Sequence, residues 1–540
     1  MAERPRGPSR TVNGPWVAEC AALESAAAAP PAIGIAEVAL LASVFVVAAC
    51  GLVYELVAGT LASYLLGDSI LQFSTVIGAY LFAMGVGSWL SRYLERQLVA
   101  QFLRIELLVG LIGGLMPAAL FALQTLAEPS FRVALYGLVL AVGILVGLEI
   151  PLVMRILKRH AGGTHGGLKT LVSQVLTFDY LGALAVAIAF PLVLVPQLGL
   201  IRTGALFGLM NAAVAIWALW LFRAELRGVR AHAAAALLTV LALVATFAAA
   251  DAVTTWAEDR FYGDQVIHSE TSRYQRVVVT NSAAGVRLFL NGNLQFHSRD
   301  EYRYHEALVH PALAAHGAPR RVLVLGGGDG MAVREVLKHP SVERVTLVEL
   351  DPHMTALFSS APLLRALNGD ALRSPKVEIV HLDAFAWLER HEGEMFDAIV
   401  VDFPDPTNFA IGKLYTRTFY ELLERHLSAS GYAVVQTTSP LIARKSFWTV
   451  VTTIEAAGLT ATPYHAHVPS FGEWGFIVAG HRPLRSVRAL PPGLRFLTVA
   501  GLPALFDFPP DMARVPAEVN RLSNQVLVQT FEDEWGKVQR

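Results

Sequence analysis

The sequence predicts two unlike halves, an N-terminal all-α membrane bundle and a C-terminal Rossmann-like, doubly wound α/β sheet preceded by a small antiparallel β domain. Apolar runs of membrane-spanning length fill roughly the first 250 residues. Short β-prone runs come next, and residues 321–351 then follow the order strand, glycine turn, helix, strand. The mean hydropathy of +0.47 and the net charge of −1 conceal this division.

Residues 1–35 are rich in alanine and proline and carry scattered arginines. Because they lack the apolar core of a cleaved signal peptide, we expect a disordered cytoplasmic tail. Cys20 lies in this tail and Cys50 in the first apolar run. The second half is therefore expected to contain neither a disulfide framework nor a cysteine metal site.

The segment 36–251 is predicted to be a membrane domain of about seven transmembrane helices. The apolar runs lie at roughly 37–66, 71–90, 105–126, 133–154, 174–195, 203–222 and 233–250. This predicts a multi-pass protein of the cell (inner) membrane, in contact with the lipid bilayer.

Basic residues fall on alternate connections between these runs. They are Arg92, Arg96, Arg104, Arg155, Lys158, Arg159, Lys169, Arg223, Arg227 and Arg230. By the positive-inside rule these connections are cytoplasmic, which predicts an inside N-terminus and, after seven crossings, a C-terminal half outside the cell.

Carboxylates occur at depth in the apolar runs, at Glu55, Glu149 and Asp179. Such groups are costly in lipid and usually face the interior of a bundle. They either bond to tyrosines and to backbone freed by Pro151, or line a path for a cation. Gly143 and Gly147 form a GxxxG pair that predicts close helix packing.

Segment 252–316 is predicted to contain the small β domain, because β-prone runs at 276–280 and 286–292 alternate with Asn-containing turns. Segment 317–485 alternates strands and helices, as a doubly wound parallel sheet does. Segment 486–540 is expected to add helices and no chemistry. Nucleic acid is not expected as a partner, because the near-neutral sequence has no basic stripe.

The glycine turn at 326–330 carries an acid, Asp329, and the next strand ends at Glu349. Gly326 and Gly328 allow the backbone to approach a ligand, and an acid at the end of the second strand can bind ribose hydroxyls. A carboxylate repels a pyrophosphate and attracts a cation. The turn therefore favours a sulfonium or amine ligand over a dinucleotide.

Polar residues follow the ends of several predicted strands. They are Asp329, Glu349, Asp351, Asp383, Asp402, Asp405 and Gln436. Ligands of doubly wound sheets bind at these carboxyl ends, which predicts one acidic pocket there. Helix capping explains any one of these acids, but less easily all of them. The histidines lack metal-ligand spacing, so no metal site is expected.

The segments LNGNLQFHSRDEYRYHEALVHP, VLVLGGGDGMAVREVLKHPSVERVTLVELD, DAIVVDFPDP and KLYTRTFYELL together resemble the spermidine synthases, or polyamine aminopropyltransferases. The resemblance covers about 265–480. GLVYELVAGTLASYLLG (51–67) and PSFGEWGFIVAG (469–480) are similar to membrane-fused members of that family.

This resemblance implies transfer of an aminopropyl group from decarboxylated S-adenosylmethionine to an amine, usually putrescine, which leaves methylthioadenosine. The decarboxylated compound is a co-substrate, and no prosthetic group is expected. An alkylammonium has a pKa near ~10.4, so a base must take its proton before attack. The resemblance assigns that base to Asp402.

The resemblance also assigns binding residues. The amine and aminopropyl contacts are Tyr304, His305, Asp329, Asp405 and Gln436. The nucleoside contacts are Gln275, Gly326, Gly328, Glu349, Asp383 and Ala384. It further implies a homo-oligomer, and a cytosolic supply of the co-substrate favours a cytoplasmic catalytic half, against the loop charges.

The sequence departs from the family pattern at the amine end. Phe403 and Pro404 replace small polar residues between the two loop acids, Ala384 replaces a glycine, and Phe471 replaces a tyrosine. We therefore expect an acceptor end that is more apolar than a plain putrescine site.

Two alternative functions stay open. An S-adenosylmethionine-dependent methyltransferase, or another enzyme of sulfonium chemistry, would share the sheet and Glu349 but has less need of Asp402 and Asp405 together. A polyamine transporter or sensor would use the intramembrane acids and bind its ligand in the soluble domain without turnover.

Overall fold

The computed structural model describes residues 35–66, 70–126, 131–160, 168–393 and 395–538. The tail predicted at 1–35 lies outside these ranges except for its last residue. All secondary structure in the described part of the first half is helical. Its helices are α1 (Ile35–Leu66), α2 (Ile70–Leu90), α3 (Leu98–Leu126), α4 (Phe131–His160), α5 (Leu168–Ala189), α6 (Val195–Leu221) and α7 (Val229–Tyr262).

Within the described ranges, six helical stretches are long and apolar enough to cross a membrane. The expectation of about seven transmembrane helices stays a prediction. The fifth and sixth predicted runs belong to one stretch, Val172–Leu221, because a π-helical turn at Phe190–Leu194 joins α5 to α6 without a polar loop. Gly199, with φ 72° and ψ 174°, breaks the helical backbone inside this stretch.

Glycines set the closest helix contacts of the bundle. A Cβ atom at Gly208 of α6 would lie 2.5 Å from the Gly110 carbonyl oxygen of α3, and one at Gly147 of α4 would lie 2.1 Å from the Met84 carbonyl oxygen of α2. Both distances are too short for any side chain. As predicted for Gly143 and Gly147, small residues let the backbones meet where apolar burial gives no driving force in lipid.

Helix α7 runs from the bundle into the β domain. Glu258, which is buried near its C-terminal end, accepts a hydrogen bond of 2.9 Å from Arg276 Nε, and Asp259 accepts one of 2.8 Å from the Val266 N–H. The strands of this domain are β1 (Gln265–Thr271), β2 (Arg276–Ser282), β3 (Gly285–Leu290) and β4 (Asn293–His297). They pair antiparallel in sequence order, which confirms the predicted β domain.

The C-terminal half is built on a second sheet of seven strands. In spatial order they are β10 (Thr460–Val468), β11 (Gly472–Gly480), β9 (Leu427–Thr437), β8 (Phe396–Asp402), β5 (Arg321–Gly326), β6 (Arg344–Glu349) and β7 (Val377–His381). Strands β5 to β9 pair in parallel, whereas β11 and β10 add an antiparallel edge. The Rossmann-like prediction is thereby confirmed.

Helices cover both faces of this sheet. They are α8 (Glu301–His316), α9 (Met331–Leu337), α10 (Pro352–Ser360), α11 (Pro362–Asn368), α12 (Ala384–Arg390), α13 (Phe409–Gly412), α14 (Arg417–His426) and α15 (Arg444–Ala456). One core packs α8 to α11 against the sheet, and a second packs α12, α14 and α15 against its other face. The alternating faces of each strand leave only the strand ends for a ligand.

The C-terminal extension is less helical than expected. Helix occurs only in a 3₁₀ turn, Leu502–Phe506, and in α16, Val526–Val538, with irregular backbone between them. Buried acids of the catalytic domain hold this backbone in place of helical bonds. Glu306 accepts hydrogen bonds from the N–H groups of Arg495, Phe496 and Leu497 at 2.8–3.0 Å.

Candidate active site

The carboxyl ends of β5 and β8 lie side by side, because Gly326 and Asp402 are partners in the parallel register. Gly326 and Gly327 have φ of 79° and 68°, in the left-handed region that favours glycine. A Cβ atom at Gly326 would lie 2.3 Å from the Asp402 carbonyl oxygen. Only a glycine turn can therefore leave β5 so close to the acid that ends β8.

Glu349 is fixed at the end of β6 by two backbone donors. Its Oε2 accepts from the Gly328 N–H at 3.0 Å, and its Oε1 accepts from the Asp351 N–H at 2.9 Å. Burial raises the pKa of Glu349 to about 7, against the lowering effect of these bonds. The carboxylate is thus aimed across the glycine turn.

Asp351 joins the β domain to the sheet. Its buried carboxylate accepts from the Ser272 hydroxyl at 2.6 Å and from Gln275 Nε2 at 3.3 Å, and it caps α10 through the His353 N–H. The structure therefore brings Gln275 to the Glu349 side of the site. The sequence predicts Asp351 at a strand end without indicating a role for it. No sequence pattern points to Ser272.

Asp329 lies inside the glycine turn, just before α9, and accepts a hydrogen bond of 2.9 Å from the Met331 N–H. It is 8% exposed. Burial raises its pKa to about 6, the nearby His305 lowers it and the charge of Asp402 raises it. Asp329, Asp402 and His305 therefore share one electrostatic environment.

Asp402 receives a hydrogen bond of 2.7 Å from the Tyr304 hydroxyl of α8. Burial raises the pKa of Asp402, while His305 and the Tyr304 bond lower it. Asp405, on the loop after β8, has a buried Oδ1 that accepts no hydrogen bond from any residue in the described ranges, and burial raises its pKa to about 7. Asp405 Oδ1 is thus poised to accept from a donor that the described residues do not provide.

His305 is held from behind by Glu301, which lies one helical turn earlier on α8. Nδ1 of His305 lies 2.9 Å from Glu301 Oε2, and the same oxygen accepts from Arg334 Nη2 at 2.8 Å. Burial lowers the pKa of His305, but the bond and charge of Glu301 raise it by more, so the net shift is upward. Glu301 was not predicted as a site residue; its signal is the Glu–His spacing of four residues on one helix.

The polar side-chain atoms of Gln436 and Asp383 form hydrogen bonds and an ion pair within the protein. Gln436 donates to the Phe403 carbonyl and to Tyr415 Oη, and its Oε1 accepts from Trp474 Nε1 at 3.2 Å. Asp383 caps α12 through the Ala386 N–H, and its Oδ2 accepts from Lys413 Nζ at 2.8 Å. For Asp383 the capping explanation accounts for the observed bonds, and Ala384 is simply the first residue of α12.

Phe403 and Phe471, the two phenylalanines that depart from the family pattern, lie in different parts of the structure. The Phe471 ring lies 6.1 Å from the ring of Tyr304, the hydrogen-bond partner of Asp402, and 5.1 Å from the Trp474 ring. Phe403 instead packs against Phe419, with ring centroids 5.7 Å apart, in the core of the opposite face. Of these two rings, Phe471 thus lies beside Tyr304 and Phe403 lies in the core.

With this geometry in view, comparison with known proteins identifies the family. A family profile described as Spermine/spermidine synthase domain matches residues 301–487. Polyamine aminopropyltransferase 2 of Ralstonia nicotianae is 56% identical over 93% of this chain and 99% of that protein. Polyamine aminopropyltransferase 1 of the same organism is 55% identical over 95% of this chain and 98% of that protein.

A third relative, polyamine aminopropyltransferase of Leptospira interrogans, is 49% identical over 93% of this chain and 99% of that protein. Among solved structures, a spermidine synthase in complex with the transition state analogue AdoDATO covers 45% of this chain and 85% of that chain, at 28% identity and a TM-score of 0.43. The similarity to the aminopropyltransferases extends through the helical half as well as the sheet. The chain belongs to the polyamine aminopropyltransferase family.

Proposed function

We propose that this protein transfers the aminopropyl group of decarboxylated S-adenosylmethionine to putrescine, with spermidine and methylthioadenosine as products. The observation that carries this proposal is the group of buried acids at one sheet edge, Asp329, Glu349, Asp402 and Asp405, whose pKa values are all raised. Buried carboxylates whose charge is not neutralised by an ion pair with Lys or Arg in the described ranges are suited to a cationic sulfonium and a diammonium.

Asp402 is the proposed base. It takes one proton from the ammonium of the acceptor, and the freed nitrogen lone pair attacks the methylene carbon next to sulfur. As the new C–N bond forms, the C–S bond breaks and its electron pair neutralises the sulfonium. The Tyr304 hydroxyl, 2.7 Å from Asp402 Oδ1, orients the carboxylate so that its other oxygen faces the amine.

The remaining contacts follow from position. Glu349 binds the ribose hydroxyls, with Gln275 beside it and the backbone of Gly326 and Gly328 against the nucleoside. Asp383 and Ala384 lie on the adenine side. Holding the sulfonium and the amine in line supplies much of the acceleration.

At the amine end, Asp329 holds the free amine of the co-substrate and Asp405 the distant ammonium of the acceptor. His305 and Gln436 complete this end of the site. Gln436 acts by fixing the loop after β8 through its hydrogen bond to the Phe403 carbonyl. Phe471 covers the methylene groups.

A product assay tests this proposal. Full-length protein in detergent is incubated with putrescine and either decarboxylated or ordinary S-adenosylmethionine, and the products are identified by mass spectrometry. We expect spermidine and methylthioadenosine only with the decarboxylated compound. Methylated amine and S-adenosylhomocysteine would instead establish the methyltransferase alternative.

Activity is expected to rise with pH between 6 and 8. The pKa values of about 6 for Asp329 and about 7 for Glu349 and Asp405 lie above the ordinary carboxyl range because of burial, so these groups ionise and bind cations only as pH rises through that window. We expect kcat/KM for the decarboxylated co-substrate to increase about tenfold from pH 6 to pH 8. A kcat/KM that is equal at pH 6 and pH 8 would contradict this ionisation.

We further propose that the six apolar stretches embed the protein in the cell membrane, with the catalytic half attached through α7. Their exposed surface carries large apolar side chains such as Phe82, Trp89, Leu184 and Trp220, which suits lipid contact. The homo-oligomer implied by the sequence stays a prediction.

A further inference from the structure

A group of buried polar side chains lies inside the helical bundle, far along the chain from the catalytic acids. Glu106 of α3 is 0% exposed and Glu149 of α4 is 1% exposed. None of their carboxylate oxygens has a hydrogen-bond partner among the described residues. Sequence patterns predicted Glu149 as an intramembrane acid but not Glu106, and the other two predicted acids, Glu55 and Asp179, are only half-buried.

Two further unpartnered groups belong to the same cluster. The Tyr54 hydroxyl of α1 and the side-chain amide of Asn211 of α6 are 1% and 0% exposed at the residue level, and neither bonds to another residue in the described ranges. Tyr54 and Glu149 both lie within electrostatic range of Glu106. Asn211 lies against Gly110, one helical turn after Glu106.

Their depth is consistent across the bundle. Glu149 lies roughly ten residues before Arg159 at the end of α4, and Asn211 lies roughly ten residues before Leu221 at the end of α6, about 15 Å at the helical rise. Glu106 lies eight residues after the start of α3, about 12 Å along the helix. The hydrocarbon core is about 30 Å thick, so all three positions lie within its span. An isolated carboxylate is most costly there, and each carboxyl must therefore hold a proton or face a cation.

The oxygen atoms and the aromatic rings of the cluster indicate which cation it can bind. Two carboxylates, one hydroxyl and one amide oxygen offer about six oxygens at most, the lowest number that Ca²⁺ takes and only with both carboxylates bidentate, and no water-filled octahedron suited to Mg²⁺ is built here. No group of three or more metal-ligating side chains is placed to hold a metal ion within the described ranges. A primary ammonium needs about three acceptors, and the rings of Tyr54 and Tyr80, both buried, provide apolar and cation–π surface.

We propose that Glu106, Glu149, Tyr54 and Asn211 form an intramembrane binding site for the primary ammonium group of an alkyl amine. The choice of amine over an alkali ion rests on the proposed function, because the catalytic half would consume and release such amines. On binding, the ammonium takes the place of a carboxyl proton: one O–H bond breaks, the proton leaves to water, and the carboxylate with its bound ammonium is neutral, as the protonated carboxyl was.

Equilibrium binding of radiolabelled putrescine to the full-length protein in lipid nanodiscs tests this site. We expect Glu106→Gln/Glu149→Gln to remove one bound putrescine per chain while transferase turnover stays within about twofold of the wild type. Asp251→Asn is the matched control, because Asp251 is a bundle carboxylate that pairs with Arg202 at 2.7 Å. It should leave the stoichiometry unchanged.

A milder variant tests the site even if the double variant fails to fold. Tyr54→Phe removes only the hydroxyl, and we expect a five- to tenfold weaker putrescine affinity, about 1–1.4 kcal/mol, as for one lost hydrogen bond. A weakly buffered indicator should record about one proton released per putrescine bound at this site.

Equal putrescine stoichiometry in the wild type and the double variant would overturn the proposal. So would full displacement of putrescine by an equal concentration of Na⁺ or K⁺, which would make this an alkali-ion site. Neither result bears on the product assay, so failure of this site and failure of aminopropyl transfer are distinguishable.

Discussion

Turnover is expected to fall by about 100-fold or more when Asp402 is replaced by Asn, because an amide cannot take the proton that blocks the acceptor nitrogen. The change is otherwise conservative. Asn Oδ1 can still accept the hydrogen bond that Tyr304 gives to Asp402 Oδ1 at 2.7 Å. The neighbouring turn of Gly326 contacts the main chain of residue 402, which the substitution does not alter.

Single-turnover rates with preloaded co-substrate separate the chemical step from binding. We expect the affinity for methylthioadenosine to stay within about threefold of the wild type, since Asp402 removes a proton and does not bind the nucleoside. Asp397→Asn is the matched control, because Asp397 lies near the other end of β8, where it accepts from the N–H groups of Arg320 and Arg321. A single-turnover rate near that of the wild type would exclude Asp402 as the base.

Replacing Asp329 by Asn is expected to lower kcat/KM for the decarboxylated co-substrate by about 100-fold, the range for removing one partner of a buried charge pair. Asp329 is buried beside the reacting groups, and no Lys or Arg within the described ranges forms an ion pair with it. Its charge is therefore available to the free amine of the ligand. Asn still accepts from the Met331 N–H, so the turn before α9 is preserved.

The same substitution should also change selectivity. Asp329 attracts the amine of the decarboxylated compound and repels the carboxylate of ordinary S-adenosylmethionine. We expect ordinary S-adenosylmethionine to bind Asp329→Asn about tenfold more tightly than it binds the wild type. Inhibition constants measured for both compounds give the ratio, and Asp370→Asn, at an exposed acid, is the control. An unchanged ratio would show that another group selects the co-substrate.

Sequence patterns predict the residues of the two sites to different extents. Asp329, Glu349 and Asp402 follow apolar strands directly, and parallel strands end at one sheet edge, so their grouping is a consequence of local order along the chain. The helical half is equally local, because span length and hydropathy need no knowledge of partners. The break at Gly199 could not be predicted from the sequence. Glycine is common inside transmembrane helices, and only the packed structure reveals which glycine departs from helical geometry.

The apolar runs, the order of strands and helices along the chain and the acids at strand ends were thus determined by sequence alone, because each depends on neighbours within a few residues. Tertiary structure alone decided that Arg334 pairs with Glu301, that Asp383 and Gln436 bond within the protein, and that Asn211 lies against Gly110 inside the bundle. These contacts join residues on different elements, and burial makes each one energetically consequential. No local pattern encodes which buried polar group finds a partner and which is left for a ligand.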